Sequence, residues 1–306
     1  MRHLSASNAC NQGVDPATKR PYRPEKGNTM TGRIAFQGEL GAYSHEACRR
    51  ARPAMEPLPC KTFEDVIEAV RKGEAETAML PVENSTYGRV ADIHRLLPAS
   101  GLHIVEEAFV RVQIALMAKP GVTLPQVRKV RAHLVLIPQC AEFLRQNGIV
   151  AEASADSAGA ARELAESGEL ESGALASTLA AEIYGLDVLA YGIEDNDSNT
   201  TRFLLMERDA DLKRRGSGKM ITSFVFRVRN LPAALYKAMG GFATNGVNMT
   251  KLESYMVDGS FTATQFYADI EGHPDDRNVQ LAMEELDYFT DMVRLLGVYP
   301  SDPQRR

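Results

Sequence analysis

The chain reads as an α/β protein with a two-lobed first domain and a β-α-β-β-α-β module behind it. Three observations predict this. Strand-like and helix-like segments alternate from Arg33 onward, as in α/β domains with a largely parallel sheet. Two long segments, His103 to Gly121 and Asp187 to Arg208, are suited to carry the chain out of one lobe and back, which implies two lobes around a cleft. A charged, Gly/Ser-containing stretch at Asp209 to Lys219 then marks a linker, beyond which the element order changes. A length of 306 residues suits about two domains, and 44% hydrophobic with 25% charged residues is ordinary for a soluble globular chain.

The elements follow in order. "RIAFQ" (33–37) is a strand that ends in "GELGAYSHEACRRA", where glycines permit a tight turn and Ser44 is a candidate helix cap. "TFEDVIEAVRKG" places Thr62 as N-cap, Asp65 three residues on, Val66, Ile67 and Val70 at helical spacing, and Gly73 as the stop. "TAMLPVENS" is a short apolar strand running into polar residues, and "GRVADIHRLLPASG" an amphipathic helix with a Pro and Gly exit. In the second lobe "CAEFLRQNG", "SAGAARELAESG" and "STLAAEIYGL" supply helices, and "IVAEAS" and "GALAS" supply strands. After the linker come strand "ITSFVFRV", helix "LPAALYKAMGGFATNG", a hairpin of "NMTKLESYMV" and "SFTATQFYADI" turning at Asp258-Gly259, helix "DDRNVQLAMEELDYF" and strand "MVRLLGVYP", the order of a ferredoxin-like module.

Composition narrows the partners. A net charge of -5 and a pI near 5.8 argue against general affinity for nucleic acid or anionic membrane, and no apolar run approaches a membrane span. Small molecules and further copies of the chain remain. Cys10, Cys48, Cys60 and Cys140 form no C-x-x-C pair and read as reduced thiols of a cytoplasmic protein; the six histidines lack metal-ligand spacing, so no metal is expected. The first residues carry no secretory h-region and read as a disordered tail, with Met30 a candidate start codon.

Three polar clusters lie at the ends of expected strands: "GELGAYSHEA", "VENSTYG" and "SNTTRF". Each alone fits a turn or a cap as well as a ligand site, because Asp, Asn, Ser and Thr bond to nearby backbone. The Gly38/Gly41 spacing falls short of a dinucleotide or P-loop fingerprint, although a helix N-terminus there would favour an anion.

Taken together and in order, "FQGELGAYSHEA", "LPVENSTYGRV", "HLVLIPQC", "NTTRFLLM" and "NMTKLES" resemble the prephenate dehydratase family, over a stretch from Gly32 to Pro300. The resemblance implies a bilobal, periplasmic-binding-protein-like catalytic domain at 32–208, a linker at 209–219 and an ACT regulatory domain at 220–300, with tails at 1–31 and 301–306. It implies decarboxylating dehydration of prephenate to phenylpyruvate without a cofactor, the path to phenylalanine, with L-phenylalanine as effector and a homodimer or homotetramer as the assembly. Arogenate dehydratase, the same chemistry on the amino-acid analogue, and a non-catalytic ligand sensor are the alternatives.

By the same resemblance Thr201 is the catalytic hydroxyl, hydrogen-bonded to the departing oxygen. Asn84, Ser85, Gln139 and Thr200 line the substrate pocket, and Asn199 braces it. The dianionic substrate calls for Arg202 or the backbone near Ser44 and Ser85; Arg202 alternatively pairs with Glu83 and shapes the motif, and Phe203 fits a core anchor. Phenylalanine is expected near Leu231, Ala234 and Leu235 and near Asn248, Met249 and Thr250, with Glu253 and Ser254 in the adjoining motif. The alternative role for this module is dimerisation alone. The sequence departs from the family pattern at Ala132, where a serine is usual, at Leu134 and Val135, at Ile114, and at Tyr255 and Met256 of the effector motif.

Overall fold

The computed structural model describes residues 31–229, 231–256 and 263–305. The N-terminal stretch with Met30 and Cys10, and the hairpin turn at Asp258-Gly259, lie outside the described residues.

The first lobe opens with β1 (Arg33–Gln37), α1 (Tyr43–Ala51), β2 (Glu56–Cys60), α2 (Phe63–Lys72), β3 (Thr77–Asn84), β4 (Gly88–Arg89), α3 (Ala91–Leu96) and β5 (His103–Arg111). β6 (Ala115–Ala118), β7 (Lys129–His133), α4 (Ala141–Asn147), β8 (Val150–Ser154), α5 (Ser157–Glu166), β9 (Ser172–Ala176), α6 (Thr178–Tyr184) and β10 (Asp187–Tyr191) make the second lobe, from which β11 (Thr200–Glu207) returns. The C-terminal module is β12 (Met220–Val228), α7 (Ala234–Thr244), β13 (Met249–Met256), β14 (Ala263–Glu271), α8 (Arg277–Phe289) and β15 (Thr290–Pro300).

Local sequence explains several boundaries. Thr62 and Asp65 close a reciprocal capping box at 3.1 Å in both directions, Gly73 ends α2 in the left-handed conformation, and Val66, Ile67, Ala69 and Val70 are its buried face. Ser44 does not cap α1: Ala42 holds that position without a side-chain bond, and Ser44 lies within the first turn. β2 and β7 escape a reading by pattern. "EPLPC" carries two prolines, which a strand tolerates at a sheet edge, and β2 is the edge.

The first lobe is not a purely parallel sheet. β1, β2 and β3 run parallel, but β11 lies antiparallel between β3 and β5, because it enters from the second lobe rather than through a crossover helix. The second sheet, ordered β10-β6-β9-β7-β8, is likewise mixed. The two expected crossings are the β5-to-β6 and β10-to-β11 segments.

The module's strands lie in the order β13-β14-β12-β15, and β15 continues the sheet into the first lobe by pairing with β5 at Gly297 and Ile104. One face of the module packs on α7 and α8 around Phe224, Phe226, Phe242 and Leu286. On the other, Ile221, Val225, Tyr267 and Tyr299 share a core with Val70, Ile93 and Leu97 of the first lobe. Residues 301–305, read from sequence as a tail, fold back on the first lobe, where Asp302 N–H donates to Glu107 at 3.1 Å. No helix among the described residues is long and apolar enough to cross a membrane.

Gly297 permits the junction between the two units. A Cβ at this position would collide with the Ile104 carbonyl oxygen and lie 2.7 Å from the Ile104 Cβ. Gly297→Ala is therefore expected to cost about 1–3 kcal/mol through overpacking, read as a lower midpoint in urea denaturation.

Two buried histidines make stability depend on pH. His94 is 2% exposed and sits edge-on to Tyr267 at 5.2 Å between ring centroids; neither ring nitrogen has a partner among the described residues. Burial, aided by the Lys251 charge, pushes its pKa from 6.5 down to about 4. Burial and Arg49 likewise take His45 to about 4. Both folded values are depressed, so below 6.5 the unfolded chain binds protons that the folded protein refuses, and stability falls with pH until the loss is complete near 4. Between about pH 7 and pH 5.5 each histidine should account for roughly 1 kcal/mol, and His94→Phe should remove its share when denaturation midpoints at the two pH values are compared.

Candidate active site

The carboxyl ends of β1 and β3 in one lobe and of β7 and β9 in the other point into the groove between them, the usual ligand position in open α/β sheets. β11 runs against β3, so its first residues, not its last, lie at this end. Thr201 stands opposite Asn84 and Arg202 opposite Glu83. The pairing then skips from Glu83 to Pro81, a bulge at the residue that has no N–H to give to the ladder.

Alternation along β11 sends Thr201 and Phe203 to one face of the sheet and Thr200 and Arg202 to the other. Phe203 is 1% exposed, packed with Ile34, Phe36, Cys48 and Met79, so it anchors the strand in the core.

Above Phe203 the side-chain amides form a chain that spans both lobes. Asn84 Nδ2 donates to Thr201 Oγ1 at 3.0 Å and to Asn199 Oδ1 at 2.6 Å. Asn199 Nδ2 donates to Gln139 Oε1, and Gln139 Nε2 to the Val135 carbonyl at 2.7 Å. Asn84 Oδ1 accepts from the Thr86 and Tyr87 N–H groups at 2.9 and 3.0 Å, which fixes the flip of its amide. The same contact is an Asx turn, so the bland role of Asn84 and its place in the network coexist. Thr201 Oγ1 already accepts from Asn84, leaving its own proton to be donated.

Between the lobes a cavity of about 180 Å³ opens at the start of α1, bordered by Gln37, Ser44, His133, Ser157 and Ser177. First-turn N–H groups of a helix lack intrahelical partners and favour an anion. Gly41 shapes the approach: its φ is +94°, and a Cβ would meet the Ala180 Cα at 2.7 Å. Ser177 Oγ donates to the Gly41 carbonyl at 2.6 Å, and the Gly41 N–H to His45 Nδ1 at 3.0 Å, tying the loop to both lobes. His133 Nδ1 accepts from the Val135 N–H at 3.2 Å, which leaves Nε2 as the ring's donor.

Ser85 and Thr200 lie away from the chain of amides. Ser85 Oγ accepts from the Thr200 N–H at 2.9 Å and donates to the Ser198 carbonyl at 3.1 Å, so it closes the end of the β3–β11 pair. Both residues, with Arg202, border a second cavity of about 720 Å³ that also involves Phe109, Arg111 and Gln304. Arg111 and Gln304 belong to the crossing strand and the C-terminal segment, which places this cavity on the module's side of the sheet.

Arg202 is 2% exposed and fully engaged. Its Nε donates to Glu107 at 2.8 Å, Nη1 to Glu83 at 2.9 Å and Nη2 to the Tyr299 hydroxyl at 3.0 Å, and Asp269 Oδ2 lies 2.8 Å from Nη1. The anticipated substrate guanidinium is thus an internal ion, and the pairing with Glu83 extends to two further carboxylates. Burial opposes its charge, but Asp269 and its neighbours hold the guanidinium pKa above the ordinary value. Burial raises and Arg202 and Arg305 more than offset the pKa of Asp269, which ends below its usual range; Glu83 is lowered by Lys251 and Arg202 in the same way. Sequence reading missed Glu107, Asp269 and Tyr299. The available signal was an acid at a buried position of an apolar strand, "QFYADI".

Ala132 and Ile114 are fully buried in the second lobe's core. Neither faces the groove, so the departure at Ala132 removes no cleft contact in this structure. Among the expected effector residues, Leu231 is exposed, Ala234 and Leu235 begin α7 against the module core, and Asn248 bonds to Glu271 at 3.1 Å. Met249 is half-buried; Thr250 accepts from Arg305 at 3.0 Å, and Glu253 pairs with Lys251 at 3.2 Å. The Ser254 carbonyl accepts from Arg89 of the first lobe at 2.9 Å.

The family model described as "Prephenate dehydratase" matches residues 34–211. A bifunctional N-acyl-homoserine lactone acylase/prephenate dehydratase of Komagataeibacter europaeus is 51% identical, over 89% of this chain and 97% of its own length. Arogenate dehydratase/prephenate dehydratase 1 of Arabidopsis thaliana is 36% identical, over 94% of this chain and 76% of its own. The structure of prephenate dehydratase in complex with L-Phe from Arthrobacter aurescens superposes with a TM-score of 0.79 at 30% identity, covering 88% of this chain and 89% of that one. Conserving the whole two-lobed fold with its C-terminal module, and carrying the hydroxyl and amides at the mouth of the groove, this chain belongs to the prephenate dehydratase family.

Proposed function

We propose that the protein is a prephenate dehydratase that converts prephenate to phenylpyruvate in L-phenylalanine biosynthesis. One observation carries this reading: Asn84 donates to Thr201 at 3.0 Å, so that the threonine hydroxyl is held as a donor at the groove.

In this reaction the C–C bond to the ring carboxylate breaks, and its electron pair enters the ring as CO₂ leaves. The ring C–O bond breaks with the oxygen keeping its pair, and with one proton it departs as water. Aromatisation supplies the driving force, so the protein's task is to stabilise negative charge growing on the leaving oxygen. Thr201 does this by hydrogen bonding, and the ordered Asn84–Asn199–Gln139 chain keeps the donor aimed. A threonine hydroxyl is too weak an acid to supply a free proton at neutral pH, so the proton passes within the bound network. The first turn of α1 near Ser44 receives a substrate carboxylate, and the His133 Nε2–H is a second donor at the same cavity.

Thr201→Ala should leave the fold intact and lower kcat on the order of 10²-fold or more, the scale of one lost preorganised donor. Near-normal turnover by a folded Thr201→Ala protein would remove this residue from the mechanism. The enzyme itself is tested by incubating purified protein with prephenate and following phenylpyruvate absorbance in base.

A second reading, arogenate dehydratase, draws on the Arabidopsis relative and on Asp156, a carboxylate bordering the cavity where an ammonium would need one. Both Asp156 oxygens are already held by the Ala158 and Gly159 N–H groups, at 2.8 and 3.1 Å, which favours the keto acid. Parallel assays should give the higher kcat/KM with prephenate; a reversed preference would select arogenate. Binding of either acid without turnover would instead mark a sensor.

Regulation by phenylalanine through the C-terminal module, as an ACT domain in a dimer, belongs to the same proposal. It is supported by the L-Phe complex of the Arthrobacter relative and by the edge strand β13, whose Leu252 and Met256 are exposed.

A further inference from the structure

We infer that the C-terminal module sets the geometry of the Thr201–Asn84 pair from behind the sheet, with Arg202, Lys251 and Tyr299 as the positioning residues. This rests on the dehydratase reading for its kinetic consequence but not for its structural content.

The two residues of the active pair each have a charged chain neighbour on the opposite face. Glu83 precedes Asn84, Arg202 follows Thr201, and the two are joined at 2.9 Å. Neither is held by the catalytic domain alone. Lys251 of β13 reaches Glu83 at 2.5 Å, Asp269 of β14 reaches Arg202 at 2.8 Å, and Tyr299 of β15 accepts from Arg202 at 3.0 Å. Asp269 is in turn fixed by the Ser223 and Tyr267 hydroxyls at 2.5 and 2.7 Å. Three strands of the module thus grip both backbones whose other faces carry the hydroxyl and its amide. The bulge beside Glu83 leaves this end of the β3–β11 ladder with irregular pairing, so side-chain anchors have more to determine here than in a regular sheet.

The grip extends to the strand read as effector-binding. Lys251 lies between Thr250 and Leu252, and Glu253 pairs with both Lys251 and Arg89. A change in the path of β13 would be felt at Glu83 through one ion pair.

Tyr299→Phe removes a single hydroxyl from the grip, and Lys251→Met removes the ammonium while keeping the stem; Lys251→Arg restores the charge. Each is compared with the wild type in two measurements. In steady-state turnover of prephenate, Tyr299→Phe and Lys251→Met should lower kcat about tenfold with KM within about twofold, the signature of a displaced catalytic group, and Lys251→Arg should recover most of the loss. In hydrogen exchange read by mass spectrometry, residues 80–87 and 198–205 should exchange faster in the two disruptive variants, while the second lobe is unchanged. A merely structural role would speed exchange across the fold and leave kcat per folded molecule unaltered. Unchanged local exchange would overturn the inference whatever the activity, as would wild-type kcat in both disruptive variants of an active enzyme. If the wild type does not turn over prephenate, the proposed function fails and the exchange result alone decides the positioning.

Discussion

A guanidinium cannot shed its proton to enter a protein interior, so Arg202 can be buried only where carboxylates meet it. Glu83 and Glu107 come from the strands on either side, but the third carboxylate, Asp269, comes from the other structural unit. Asp269 is itself fully buried and tolerable there only because Arg202 and Arg305 neutralise it and two hydroxyls satisfy it. Each charge is the condition for burying the other. Such a cluster adds little net stability over an apolar substitute, whereas removal of one member typically costs about 3–5 kcal/mol. Its consequence is therefore positional: docked in this way, the module leaves none of these charges unpaired.

The same dipeptide serves two faces. Thr201 turns toward the groove and Arg202 toward the module because neighbouring strand residues point in opposite directions. At the groove the Asn84 amide occupies the acceptor side of the Thr201 hydroxyl, so the hydroxyl proton is left to be donated. The amides beyond it come from separate segments, and the Asn199 contact with Gln139 crosses the groove. The orientation of the donor is consequently tied by hydrogen bonds to both lobes.

The first-lobe sheet and the module sheet are one surface by virtue of a single bridge at Gly297 and Ile104. A single backbone pairing is a weak joint. The apolar core of Val70, Ile93, Leu97, Tyr267 and Tyr299 reinforces it on one side, and the C-terminal segment reinforces it through Arg305, which spans Glu107 and Asp269. Three kinds of interaction act on the same seam, and relative motion of the two units has to pass through all of them.

Much of this was legible in the residues themselves. The capping box at Thr62, the amphipathic helices, the two crossings and the β-α-β-β-α-β order follow from local periodicity and cap chemistry, because those are decided within a few residues. The motifs around Asn84, Gln139 and Thr201 were recognisable as short strings. What the strings could not disclose was their facing. Ser85 and Thr200 look like companions of Thr201, yet alternation puts Thr200 on the opposite face, and Ser85 is spent on closing the strand pair. Ala132 looks like a missing contact and is a core residue. Arg202 looks like a substrate cation, and its true partners lie as far along the chain as Asp269 and Tyr299. The sequence by itself determined most of the strands and helices and the short polar motifs around Asn84, Gln139 and Thr201. Only the tertiary structure decided which of those residues meet, since strand register and the desolvation of charge depend on neighbours brought from distant parts of the chain.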